Sequence, residues 1–146
     1  MPGARDLLDQ LDDDAALDAF VAHWRAGTLP KAAWTHAAHV AVSAWHAWPD
    51  LPLASFVERM KAGIIAYNEA VGTANTPTSG YHETLTRFWC ERVLAHQAAA
   101  PQVTRLAAVR SAVAALGDAR TLHAEHYDFD VVRDPTARAR WVPPDR

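Results

Sequence analysis

Residues 34–39 read Trp34-Thr35-His36-Ala37-Ala38-His39, and the interpretation of the whole chain depends on this stretch. Two imidazoles three residues apart lie on the same face of an α-helix. The surrounding segment has no charged residue between Lys31 and Asp50, and it is rich in Ala and Trp. Solvent-facing helices usually carry charged side chains, so this composition favours burial. The sequence therefore predicts a helix over residues 31–48 that turns both imidazoles toward the interior of a helical bundle.

A third inward imidazole is predicted further along the chain, in Gly80-Tyr81-His82-Glu83-Thr84. The hydrophobic spacing predicts a helix over residues 80–100, with Thr78 or Ser79 as its N-cap. His82 falls on the apolar stripe of that helix. We therefore expect its ring to face the first two imidazoles across the bundle.

The remaining hydrophobic pattern is helical over most of the chain. It predicts helices over residues 5–26 (in one or two pieces), 52–71 and 101–117, and short helices after Asp118 and Asp134. Together these patterns predict an all-α fold, an irregular bundle of about five main helices plus short C-terminal helices. They are expected to form a single helical domain over residues 1–146.

Composition narrows the expected partners and location. Half of the 146 residues are hydrophobic and the formal net charge is -3, with no run of basic residues, so no nucleic-acid partner is expected. No apolar run reaches the ~20 residues of a membrane span, and the N-terminus has no signal-peptide pattern. A single cysteine, Cys90, fits a reducing compartment. The expectation is a cytoplasmic protein with a small-molecule ligand or substrate, and homodimer formation is left open.

The three inward histidines form a candidate metal site. His36 and His39 would bind from one helix and His82 from another, leaving an open coordination position as in catalytic zinc sites. His126 is the fourth candidate ligand, with His123 as the alternative to it. Imidazole ligands without cysteine suit a divalent transition metal, Zn, Fe, Ni or Cu, and the sequence does not choose among them.

Two further residues are candidates for catalytic roles. Asn68 lies on the inward face of its predicted helix, either as a clamp on the following polar loop (residues 72–80) or as part of the site. Tyr81 lies beside His82. These two side chains would orient a substrate or a metal-bound water, which would act in hydrolysis, hydration or isomerisation. Glu83, by its spacing from Arg87, is instead interpreted as half of a surface ion pair.

Whether the protein is an enzyme stays open at this point. The sequence has no Gly-rich phosphate loop and no Gly-x-Ser-x-Gly nucleophile motif. The leading hypothesis is a metal-dependent enzyme acting on a small molecule. The alternative is a non-catalytic binding or interaction protein, in which the histidines and tryptophans form a structural cluster or a ligand pocket.

Four motifs together resemble a family of small bacterial helical proteins. They are Trp34-Thr35-His36-x-x-His39, Tyr67-Asn68-Glu69, Gly80-Tyr81-His82-Glu83-Thr84 and Ala137-Arg138-x-Arg140-Trp141-Val142-x-Pro144-Asp145. The resemblance covers the chain from about residue 34 to the C-terminus. No activity is established for that family, so the resemblance implies a grouping and assigns no reaction.

Overall fold

The computed structural model describes residues 3–146, and within that range the fold is all-α, as predicted. Seven α-helices and two short 3-10 helices make up the regular structure of the described residues, which include no strand. The α-helices are α1 (Ala4–Gln10), α2 (Asp14–Ala26), α3 (His36–Ala47), α4 (Leu53–Ala70), α5 (Glu83–Ala99), α6 (Arg105–Leu116) and α7 (Pro135–Ala139). No helix in residues 3–146 combines the length and the apolar character that crossing a membrane would require.

The central element of the bundle is α3, which contacts α1, α4, α5 and α6. Five of its twelve residues are buried alanines, whose small side chains allow neighbouring helices to approach closely. A second, smaller apolar cluster lies where the C-terminal segment packs on α5. It contains Phe88, Tyr127, Val131 and Ala137.

The start of α3 differs from the prediction and changes the position of its histidines. Residues Lys31–Ala33 form a separate 3-10 helix, and α3 begins at His36. Thr35 is the N-cap, because its hydroxyl oxygen accepts a hydrogen bond from the Ala38 amide at 3.2 Å. His36 is therefore the first residue of α3, and its side chain reaches the carbonyl of Leu116 at the end of α6.

The predicted N-cap of α5 is wrong. The helix begins at Glu83, and its N-cap is His82, whose Nδ1 accepts a hydrogen bond from the Leu85 amide at 3.1 Å. Thr78 and Ser79 lie instead in a tight turn, closed by backbone hydrogen bonds between Thr76 and Ser79. The imidazole takes the capping role that Ser or Thr more commonly has.

The N-cap predicted for the last helix is confirmed. Asp134 Oδ1 accepts hydrogen bonds from the Thr136 and Ala137 amides, and Pro135 occupies the first helical position. The helix that Asp134 caps, α7, packs against α5.

Candidate small-molecule site

An interhelical cavity of about 630 Å³ lies between α3, α4 and α5, and the loop after α4 and the segment after α6 complete its walls. This volume falls within the ~300–1,000 Å³ typical of small-molecule sites. Its apolar walls are formed by Val40, Met60, Ile64, Leu85, Trp89 and Val93.

The cavity brings together five of the six site residues predicted from the sequence. They are His36, His39, Asn68, Tyr81 and His82. The sixth, His126, does not line the cavity. Its Nε2 accepts a hydrogen bond from the Arg92 guanidinium at 2.8 Å, and its ring lies 5.6 Å from that of Phe88. The alternative residue His123 is part of the lining.

His36 uses one ring nitrogen and leaves the other without a protein partner among the described residues. Its Nε2 donates to the Leu116 carbonyl at 3.0 Å, which leaves Nδ1 as an acceptor. Burial lowers the pKa of His36 below its ordinary value, and the nearby His123 and Arg120 act in the same direction. The imidazole is therefore neutral near pH 7.

His39 lines the cavity from the same helix as His36. Its ring stacks on Trp34 with 3.7 Å between ring centroids. Burial lowers the pKa of His39 to about 3, and the neighbouring His36 contributes to the shift. The structure gives its imidazole no hydrogen-bond partner within residues 3–146, so both nitrogens remain free to interact with a molecule in the cavity.

His82 has both ring nitrogens engaged in the fold. Its Nε2 donates to the Val131 carbonyl at 2.8 Å, while Nδ1 caps α5 as described above. Burial lowers the pKa of His82, which agrees with a neutral, structural imidazole. To bind an ion, His82 would have to release one of these two bonds. Across residues 3–146, no three His, Cys, Asp or Glu side chains are grouped closely enough to hold a metal ion.

Asn68 holds the following loop by a hydrogen bond, which was one of its two predicted roles. It also lines the cavity. Its Nδ2 donates to Asn75 Oδ1 at 2.9 Å, and the same oxygen accepts from the Tyr81 amide at 3.0 Å. Asn75 thus organises the loop that carries Tyr81. Asn75 was not among the residues predicted from the sequence, although an Asn in a turn-rich segment commonly makes such local hydrogen bonds.

Tyr81 and Glu83 form a polar group at the edge of the cavity. The Tyr81 hydroxyl donates to Glu83 Oε1 at 2.9 Å, and Lys61 Nζ lies 3.6 Å from that oxygen. The predicted Glu83–Arg87 ion pair is therefore wrong, since Arg87 pairs with Glu91 instead. Burial raises the pKa of Tyr81, so its hydroxyl stays protonated.

The C-terminal segment fixes the cavity-lining stretch at residues 80–84. Arg138 donates to the carbonyls of Gly80 at 2.8 Å and Tyr81 at 3.4 Å. The Thr84 hydroxyl donates to the Arg140 carbonyl and accepts from the Val142 amide. These contacts join the motif at residues 80–84 to the C-terminal motif that begins at Ala137.

Fold and site together define a small all-α protein with a largely apolar cavity whose polar lining includes four imidazoles. Comparisons with protein-family models, with curated proteins and with solved structures find no match to this chain.

Replacement of Gly80 by Ala is expected to destabilise the protein by roughly 2 kcal/mol or more. Gly80 has φ 77°, and an added Cβ would lie 2.5 Å from the Ala74 carbonyl oxygen and 2.6 Å from Asn75 Oδ1. Gly72→Ala is a matched control, because Gly72 has φ 78° but its Cβ would meet nothing within 4 Å. Urea denaturation measures both variants. Equal losses of stability would contradict the close packing of Gly80 against Asn75.

Proposed function

We propose that the protein binds a small, mainly apolar molecule in the interhelical cavity. The observation that carries this proposal is a cavity of about 630 Å³ in which apolar walls surround a few convergent polar groups. This combination is characteristic of ligand pockets, where the apolar surface provides affinity and the polar groups fix orientation.

The polar groups suit an uncharged or dipolar part of such a molecule. His36 Nδ1 is an acceptor, because its Nε2–H is held by Leu116. The neutral His39 imidazole supplies one donor and one acceptor. Asn68 Oδ1 adds an acceptor, since the hydrogen bond to Asn75 uses the amide nitrogen. A bound molecule would therefore be oriented by both α3 and α4.

Cinnamamide, an uncharged aromatic probe, is expected to bind the cavity in isothermal titration calorimetry. Val71→Trp narrows the cavity at its α4 wall and should weaken binding about tenfold or more, a loss of roughly 1.4 kcal/mol. Val103→Trp is the matched control, because Val103 is 92% exposed and lies outside the cavity. Circular dichroism checks that both variants fold.

Two results would overturn the proposal. One is an absence of binding heat up to about millimolar probe, where even a weak site with ~4 kcal/mol of binding free energy is detected. The other is an equal loss of affinity in both variants.

A metal-dependent enzyme is the second candidate function. The observation that favours it is that His36 and His39 lie three residues apart on α3, line the same cavity and are neutral, which is the protonation state required for ligation. His82 would complete the ligand set by exchanging one of its hydrogen bonds. Asn68 and Tyr81 would orient the substrate or a water bound to Zn, Fe, Ni or Cu, for hydrolysis, hydration or isomerisation.

Metal analysis of protein purified without a histidine tag tests this second candidate. Near-stoichiometric metal that is lost in His36→Ala and His39→Ala, and retained in His23→Ala, is the expected result for a metal enzyme. His23 is exposed on α2 and bonds to Thr28, outside the cavity. Wild-type protein without metal, and unchanged in thermal stability by added Zn, Fe, Ni or Cu, would exclude this candidate.

A further inference from the structure

We propose that the molecule bound in the cavity carries a carboxylate, which is held at the cavity rim by Lys31 and Arg120. This inference rests on the proposed small-molecule site and specifies the chemical class of its ligand, an amphiphile with an aromatic or aliphatic body and one anionic group.

The two charged residues that line the cavity are both cationic. Lys31 and Arg120 both line it, whereas no Asp or Glu does. Both cations are exposed, and within residues 3–146 neither has a carboxylate within 4 Å. A carboxylate that contacts either cation at the rim would therefore not compete with an existing ion pair.

Acidic groups near the cavity are directed to other partners, and one of them, Asp130, acts on the lining residue His123 but pairs with Arg133. Asp118 influences His36, but its Oδ1 accepts a hydrogen bond from the Ala4 amide of α1 at 2.9 Å. Glu83 is held by the Tyr81 hydroxyl and by Lys61. None of these carboxylates is part of the cavity lining.

Helix termini reinforce this polarity. The N-termini of α3 and α5 both meet the cavity, at His36 and His82, and the positive end of a helix favours an anion. The negative end of α4 also meets the cavity, and two of its last carbonyls accept backbone hydrogen bonds. Tyr67 O accepts from the Val71 amide and Asn68 O from the Thr73 amide.

Two probes of similar shape and different charge distinguish the contribution of the carboxylate to affinity from that of the aromatic body. Cinnamate and cinnamamide have the same aromatic body and differ in the anionic group. In calorimetry at low ionic strength and neutral pH, we expect cinnamate to bind about tenfold more tightly than cinnamamide, as for a charge-assisted contact. Added salt should reduce this ratio, because the cations lie at the exposed rim.

Charge-removing variants identify the residues that bind the carboxylate. Lys31→Gln and Arg120→Gln should each lower the cinnamate-to-cinnamamide affinity ratio by about threefold, with cinnamamide affinity unchanged. Arg133→Gln is the matched control, since its side chain is 88% exposed and lies outside the cavity. All three positions are on the surface, so folding is retained, and thermal melts verify this.

Each outcome has a distinct meaning. Equal affinities of wild-type protein for the two probes would overturn the carboxylate assignment and leave the small-molecule site intact. Binding of neither probe would overturn both proposals. A cinnamate preference that persists in both Lys31→Gln and Arg120→Gln would overturn the assignment of these cations.

Discussion

Lowering the pH from about 7.5 to about 5 is expected to reduce the free energy of unfolding by several kcal/mol, with His39 as the largest single contributor. In the unfolded chain His39 titrates near its ordinary pKa of 6.5, whereas in the folded protein burial lowers the pKa to about 3. Below pH 6.5 the unfolded state therefore binds a proton that the folded state excludes. The stabilisation is complete above pH 6.5 and is lost progressively as the pH falls toward 3.

The magnitude follows from the separation of the two pKa values. Each pH unit below the unfolded pKa costs about 1.4 kcal/mol per histidine, so His39 alone accounts for about 2 kcal/mol at pH ~5. Burial also lowers the pKa of four further histidines, so their contributions have the same sign. These are His36, His46, His82 and His123.

Urea denaturation of wild type and His39→Gln across this pH range measures the effect. The variant is expected to lose about 2 kcal/mol less than wild type on acidification, because its amide does not titrate. His23→Gln, at an exposed position on α2, corrects for the introduction of an amide. Identical pH dependence of wild type and His39→Gln would show that His39 is hydrated in the native protein.

Helical periodicity predicted much of this site because it is a local property of the sequence. Residues three apart on a helix share a face wherever the helix packs, so His36 and His39 were expected to line one wall. The apolar stripes of the next two long helices likewise directed Asn68 and His82 inward. The five residues that meet in the cavity were thus identified without knowledge of tertiary contacts.

The parts that depend on distant contacts were not predictable in the same way. The role of His82 depends on where α5 begins, and its second hydrogen bond goes to Val131, far along the chain. His126 was predicted as the fourth ligand, with His123 as the alternative, but the fold places His126 against Arg92 and Phe88 of α5. Periodicity carries no information on how a segment without long helices folds back over its neighbours.

Removal of the Arg138 side chain is expected to be among the most destabilising substitutions outside the apolar core. The guanidinium donates to the carbonyls of Gly80, Tyr81 and Val132, at 2.8, 3.4 and 3.2 Å. Arg138→Ala leaves these acceptors without that donor, and each charged hydrogen bond contributes about 1.5–3 kcal/mol when well formed. Since one of the three is long and one is exposed, we expect a total loss of roughly 3 kcal/mol.

A matched arginine and a conservative variant make this expectation specific. Arg133→Ala should change stability by less than about 0.5 kcal/mol, because its ion pair with Asp130 is at the surface. Arg138→Lys keeps the charge but not the planar fork, so an intermediate loss is expected. Urea denaturation gives the three stabilities, and calorimetry with cinnamamide tests whether the 80–84 stretch still forms its side of the cavity. If Arg138→Ala were no more destabilising than Arg133→Ala, the hydrogen bonds of Arg138 would not hold that stretch in place. The cavity wall at Tyr81 and His82 would then depend on Asn75 and on the hydrogen bonds that His82 and Thr84 make with the C-terminal segment.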